Sequence, residues 1–361
     1  MLMTIDEYRQ KKIARRKETD QPVSYIPQDV IVTHILHRVQ ARTLYNGFRK
    51  GCKCWSSMIA HPPFIEKHLL HAEPGLIIQQ ITTAAGNQSV MHFIEMKERR
   101  NPVVQFLDRG YDVEIHVSCN GLLLLQNKSH REVIYISNPV TKKSERLPPC
   151  TNSEVNALGL AFDPSTRKYK AVNLYVIDGT VHCEILALGG GDDDTWKQIQ
   201  VPFVEPPQEL PNMPVSIKGV IYWGMKSKDY IGCMDVSEEQ IRWIFFPDIT
   251  IKNGNIMQIG DTAALLHNPS PAHIGVWILK DFREATWVKQ HNIILQCERY
   301  IDDLHPVASL RNGEVIIFLG PEERLFTYSL KSNRLREIGI KMNGKSLLFC
   351  NAHVNSLASW K

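Results

Sequence analysis

Apolar residues follow two rhythms along this chain, and the change between them falls near residue 75. Before it, in "IPQDVIVTHILHRVQARTLYNGFRKGCKCWSSMIAHPPFIEKHLL", Val30, Ile31, His34, Ile35 and Val39 recur at the spacing of one helical face. Pro27 suits a first helical turn. The same pattern predicts a short helix over 41–48, weakened by Gly47, and another over 52–59. In the latter, Cys52, Trp55 and Ile59 share a face and Pro62-Pro63 ends the run. These helices carry apolar residues on more than one face. So short a segment buries too little area to stand alone, and its surplus surface needs the rest of the chain or another protein to cover it.

Beyond residue 75 the chain turns to short apolar runs between polar turns, as in "NGLLLLQN", "KGVIYWG", "AALLH" and "NGEVIIFLG", which predicts an all-β region. Four stretches read as hairpins: "IYISNPVTKKSERLP", "GLAFDPSTRKYKAV", "IGCMDVSEEQIRWIFFP" and "FTYSLKSNRLREI". Asn138-Pro139 and Asp163-Pro164 start turns there, and Trp196 and Trp287 form a weaker echo. Gly75, Gly121, Gly159, Gly219, Gly260 and Gly313 each open an apolar run. Their mean spacing of about 48 residues is near the roughly 50-residue period of kelch-type blades. Six blades fit the remaining length, with a β-sandwich or an imperfect propeller left open. The fold class is therefore α+β and multidomain, with short helices followed by an all-β domain, a propeller of about six blades.

Composition narrows the function little. Of 361 residues, 42 are basic and 38 acidic, and the net charge of +4 is too balanced to imply a nucleic-acid or membrane partner. The basic run "KKIARRK" at 11–17 reads first as a solvated arm, with a nuclear-import signal or a partner contact as the other readings. No stretch has the length of a membrane helix, and the first residues lack a signal peptide's apolar core, so cytosol or nucleus is expected. Eight scattered cysteines are expected as reduced, mostly buried thiols.

Candidate chemistry is sparse. Cys52 and Cys54, on a regular helix, stand about 200° apart around the axis and cannot grip one ion. Neither a second Cys pair nor a His-x3-His partner accompanies them, so packing is expected and no metal. "LGGGDDDTW" lacks the lysine and serine of a phosphate loop and the distal glutamate of an EF-hand. Nucleophile elbows and dinucleotide fingerprints are absent, and Trp223, Trp243 and Trp277 sit in apolar strands as core.

The helical stretch resembles an F-box, in Ile26-Pro27, Asp29-Val30, Ile35-Leu36, Arg38, Leu44, Phe48, Cys52-Lys53-Cys54-Trp55 and Met58-Ile59. "SCNGLLLL", "YISNPVTKKSERLP", "GLAFDPSTRKYKAV", "GVIYWG", "MDVSEEQIRWIFFP", "VWILKDFREATWVK", "YSLKSNRLREI" and the ending "HVNSLAS" are similar, in order, to the F-box-associated domain of large plant families. The resemblance implies a polar leader over 1–21, an F-box over 22–70 and a propeller-like domain over 75–361. It further implies the substrate-receptor subunit of a Skp/cullin/F-box ubiquitin ligase, with no catalytic residue and no cofactor. The F-box would dock on a Skp-type adaptor, and through it cullin, while the β-domain recruits an unknown target protein. The implied adaptor-binding residues are Ile26, Pro27, Val30, Ile35, Leu36, Arg38, Leu44, Cys52, Trp55 and Ile59. Three departures stand out: Gln40 at a usual proline, Gly51 before the cysteine, and one extra residue between Leu44 and Phe48. A non-ligase scaffold with a degenerate box, or less readily a propeller enzyme, are the other readings.

Overall fold

The computed structural model describes residues 30–82, 88–96, 102–110, 112–152, 156–190, 194–206, 210, 213–225, 228–248, 251, 254–270, 273–295, 304–339 and 346–361. Of the described residues, 30–39 belong to one compact unit and those from Gln40 onward to a second. In the first, residues 30–38 are helical, and Leu36 and His37 are buried.

The second unit is a six-bladed β-propeller preceded by helices, with six four-stranded antiparallel sheets. Blades two to six are each built from four consecutive strands, starting at Val113, Asn156, Val215, Asn255 and His305. Blade one is composite. Its outer strands are Pro74–Thr82, Gln88–Glu95 and Val103–Gly110, and its innermost strand is Ser346–Val354, from the far end of the chain. That strand pairs antiparallel with Pro74–Thr82, from Pro74 opposite Val354 to Ile81 opposite Ser346.

The core lies between blades, which explains the unbroken apolar runs. Successive strand residues point to opposite faces, and here both faces are covered. In "NGLLLLQN", Leu122 and Leu124 enter the core between blades two and three, while Leu123 and Leu125 enter that between blades one and two. Leu76 and Ile78 likewise face blade six while Ile77 faces blade two.

The predicted hairpins are present, and their turns share one construction. Asn138, Asp163, Asp235 and Asp281 each accept backbone N–H bonds from residues two or three ahead. Four residues on, Lys142, Arg167, Glu239 and Ala285 take positive φ, as does Asn333 four residues after Ser329. This is a type I turn closed by a left-handed residue, which matches the twist of a hairpin. Two loops between first and second strands are shorter: Asn120-Gly121 and Lys218-Gly219 each place both residues at positive φ, whereas the four-residue loop after Leu310 has Arg311, Asn312 and Gly313 there. The first-to-second and third-to-fourth turns open on the same side, here the upper face. The remaining turns and the links between blades lie on the lower face.

Outer-strand tryptophans staple neighbouring blades. Trp196 Nε1 donates to the Pro148 carbonyl at 2.9 Å, Trp243 to Pro202 at 2.8 Å and Trp287 to Phe245 at 2.9 Å. Trp243 is thus a half-buried staple, whereas Trp223 is core.

Candidate functional site: the helical segment and its seat on the propeller

Ile26 and Pro27 lie outside the described residues. In the first unit, Val30 and Ile35 are exposed at 37% and 46% and Arg38 is exposed, whereas Leu36 is 1% exposed. Leu36 is therefore an interior residue here, and Val30 and Ile35 form the available apolar surface.

In the second unit, Leu44 and Ile59 are also interior, at 0% and 2% exposure. Like Leu36, they are buried within the chain. Cys52 is exposed, and Trp55 is half-buried with its ring stacked on Phe48 at 5.1 Å.

The three departures each have a structural counterpart. The extra residue after Leu44 falls where Leu44–Phe48 winds as a π-helix, with Arg49 N–H reaching back to the Leu44 carbonyl. A π-turn takes up one residue more than an α-turn, so the insertion is absorbed locally. Gly51 ends the Arg49–Gly51 helix instead of lying inside a continuous one. The predicted 52–59 helix accordingly starts one residue later, as α1, Lys53–Ile59. Cys52 is its N-cap with extended backbone, and its Sγ accepts the Trp55 N–H at 3.3 Å. Cys52→Ser, which substitutes a preferred N-cap hydroxyl, is expected to stabilise the fold by about 0.5 kcal/mol in thermal unfolding. Gln40, in the usual proline position, donates from Nε2 to Glu95 Oε1 on blade one at 3.0 Å.

A second helix, α2, Pro62–His71, fixes this segment on the upper face. Phe64 and His68 are buried and stacked on each other. Ile65 packs into the core of blades two and three beside Ala358 and Trp360, and Glu66 pairs with Arg167 on the first blade-three turn.

Residues 355–361, which follow the closing strand, fill the neighbouring space. Asn138 Nδ2 donates to the carbonyls of Ser356 and Ala358 at 3.2 and 2.8 Å. The Ser356 hydroxyl donates to the Asn120 carbonyl at 2.5 Å, and Trp360 Nε1 to Glu145 Oε2 at 2.7 Å. "SCNG", "SNP" and "HVNSLAS", far apart in the sequence, therefore meet in space.

Blades three and four are joined by a buried ionic cluster. Lys170 Nζ lies 3.0 Å from both Asp163 Oδ2 and Glu239 Oε1 and donates to the Val236 carbonyl at 2.8 Å. Asp163 also accepts hydroxyl bonds from Ser165, Thr166 and Ser237. Burial alone would raise its pKa, but these donors hold the carboxyl well below its ordinary range. Lys170 is raised: its carboxylate partners outweigh burial.

On the propeller axis, Ser118, Ser216, Gln258, Ser309 and Asn351 line a cavity of about 40 Å³, room for little more than water. His353 stands behind it, with Nδ1 2.8 Å from Ser118 Oγ. Burial lowers its pKa to about 3, so the ring is neutral. Among the described residues, no three His, Cys, Asp or Glu side chains are grouped to hold a metal ion. No described helix is long and apolar enough to cross a membrane.

The F-box associated beta propeller domain model matches residues 80–358. The chain belongs to that family. F-box protein At5g49610 of Arabidopsis thaliana is 24% identical over 90% of this chain and 94% of its own length. F-box protein At4g19940 of the same plant is 23% identical over 92% of this chain and 91% of its own length. A chain in a crystal structure of a nidogen/laminin complex covers 78% of this F-box-associated protein and 99% of that chain. Its TM-score of 0.50 at 8% identity is a likeness of fold alone.

Proposed function

We propose that this chain is the substrate-receptor subunit of a Skp/cullin/F-box ubiquitin ligase, acting in cytosol or nucleus. The helical segment docks on a Skp-type adaptor, the propeller recruits a protein target, and ubiquitin transfer takes place on other subunits. The observation that carries this reading is the pairing of an F-box-associated propeller with a helical segment that leaves Val30 and Ile35 turned outward. Exposed aliphatic side chains on a helical segment supply apolar area that a partner gains by burying. The local π-turn supports it further, since the insertion leaves α1 and α2 intact.

Titration of the purified chain with a Skp-type adaptor tests the reading. Micromolar or tighter binding is expected, weakened at least tenfold by Ile35→Asp with an unchanged melting temperature. Leu36→Asp is unsuited to this purpose, because a buried carboxylate would unfold the segment. A folded wild-type chain that fails to bind would favour a scaffold outside the ligase.

A further inference from the structure

The two faces of the propeller are not equivalent. At blades two and three the upper face is occupied by α2 and residues 355–361, and many of its turns bond their own polar groups internally. The lower face carries the longer links, and that between blades three and four displays an aromatic patch. Val201 and Val204 turn into the core between these blades, while Phe203 between them is 90% exposed. The segment is held in place: Trp243 Nε1 donates to the Pro202 carbonyl and the Tyr230 hydroxyl to the Glu205 carbonyl at 2.6 Å. Tyr230 packs edge-on against both Trp243 and Phe245, at 5.5 and 5.8 Å between ring centres, and Phe245 is itself 58% exposed. Phe203 thus projects from between two carbonyls anchored on the cluster that carries Phe245.

Two large aromatics held outward on a hydrogen-bonded support are preorganised anchors, and water gains nothing from them. Among the described residues, the charge beside this patch is mainly negative. Glu205 and Asp229 flank the cluster and Asp248 follows it in the chain, while the ammonium of Lys228 is already bonded to Glu205 at 3.0 Å. The Tyr230 hydroxyl reports this field. Its pKa is pushed up to about 12, by burial first and then by the Glu205 and Asp229 carboxylates.

We propose that this lower-face rim docks an extended peptide of the target protein, one with two apolar anchors flanked by lysine or arginine. The proposal rests on the receptor reading above and names where and what the receptor binds. Selection of displayed random dodecapeptides on the full chain tests it, with the winners resynthesised carrying fluorescein and titrated by anisotropy. The expected winners pair two large apolar residues with basic flanks. Their affinity falls at least tenfold in Phe203→Ser/Phe245→Ser and at least threefold in Asp248→Lys. All variants are checked by thermal melting; should the double variant unfold, Phe203→Ser alone carries the same expectation. Failure to select any peptide, winners with acidic flanks, or affinity unchanged by the substitutions would overturn the proposal. Adaptor binding is measured on the same preparations. Intact adaptor binding without peptide binding overturns this rim alone, whereas the reverse result opposes the receptor reading and leaves the rim standing.

Discussion

Asn138→Ala lowers the unfolding free energy by about 3 kcal/mol and releases residues 355–361 from the propeller. Asn138 is completely buried, and its side chain works in two directions. Oδ1 accepts from the Val140 and Thr141 N–H groups at 2.8 and 3.2 Å and shapes the hairpin turn. Nδ2 holds the Ser356 and Ala358 carbonyls. Each buried group left unpaired costs about 1–3 kcal/mol, and water recovers part of this once the segment lifts. Asn138→Asp separates the two roles: the turn keeps its acceptor, but a carboxylate then faces two carbonyls, so the segment is released at least as fully. Urea titration measures the stability, and amide exchange at 356–360 the release. Protection at those amides equal to wild type in either variant would refute the clamp.

Lys170→Met costs about 4 kcal/mol, because it leaves Asp163 inside the protein without its cation. The Asp163 side chain has no exposed surface and that of Lys170 only 7%. Asp163→Asn/Lys170→Met is expected to recover much of the loss, since neither charge is then buried. The pH dependence follows in sign. Asp163 is depressed in the folded state, so its contribution is complete above the unfolded value of about 3.9 and is lost as pH falls below it. Lys170 is raised, so its contribution is complete below about 10.4 and is lost as pH climbs through the folded value. Urea midpoints of wild type and Asp163→Asn therefore converge as pH drops below about 4. A constant gap from pH 7 to pH 2 would rule the mechanism out.

Much of the propeller could be read from its punctuation. The Asx residue and the left-handed position four residues later are local signals, and so are the two-residue glycine loops at Gly121 and Gly219. The glycine period was nonetheless a mixture. Gly75 and Gly159 are no turn residues; they leave room for Phe93 and for Ile221 with Trp223, where a side chain would collide. Long-range partners left no local trace: the closing strand, the carbonyls stapled by Trp196, Trp243 and Trp287, and the enclosure of Lys170 by the next blade. In the helical segment, spacing located the apolar residues but not their direction. The π-turns and the break at Cys52 rotate the faces, so Leu36, Leu44 and Ile59 point inward where a regular helix left that open.

The composite first blade also bears on how the protein is made. At ribosomal speeds of about 5–20 residues per second, Pro74–Thr82 emerges on the order of tens of seconds before its partner Ser346–Val354. Throughout that interval the nascent chain carries an unpaired strand edge, with Leu76, Ile77 and Ile78 lacking their final cover. The first blade is therefore completed last, and its open edge is exposed to wrong pairing until the final strand arrives. A factor that covers this edge during synthesis is expected to raise the yield of folded chain, whatever the stability of the finished ring.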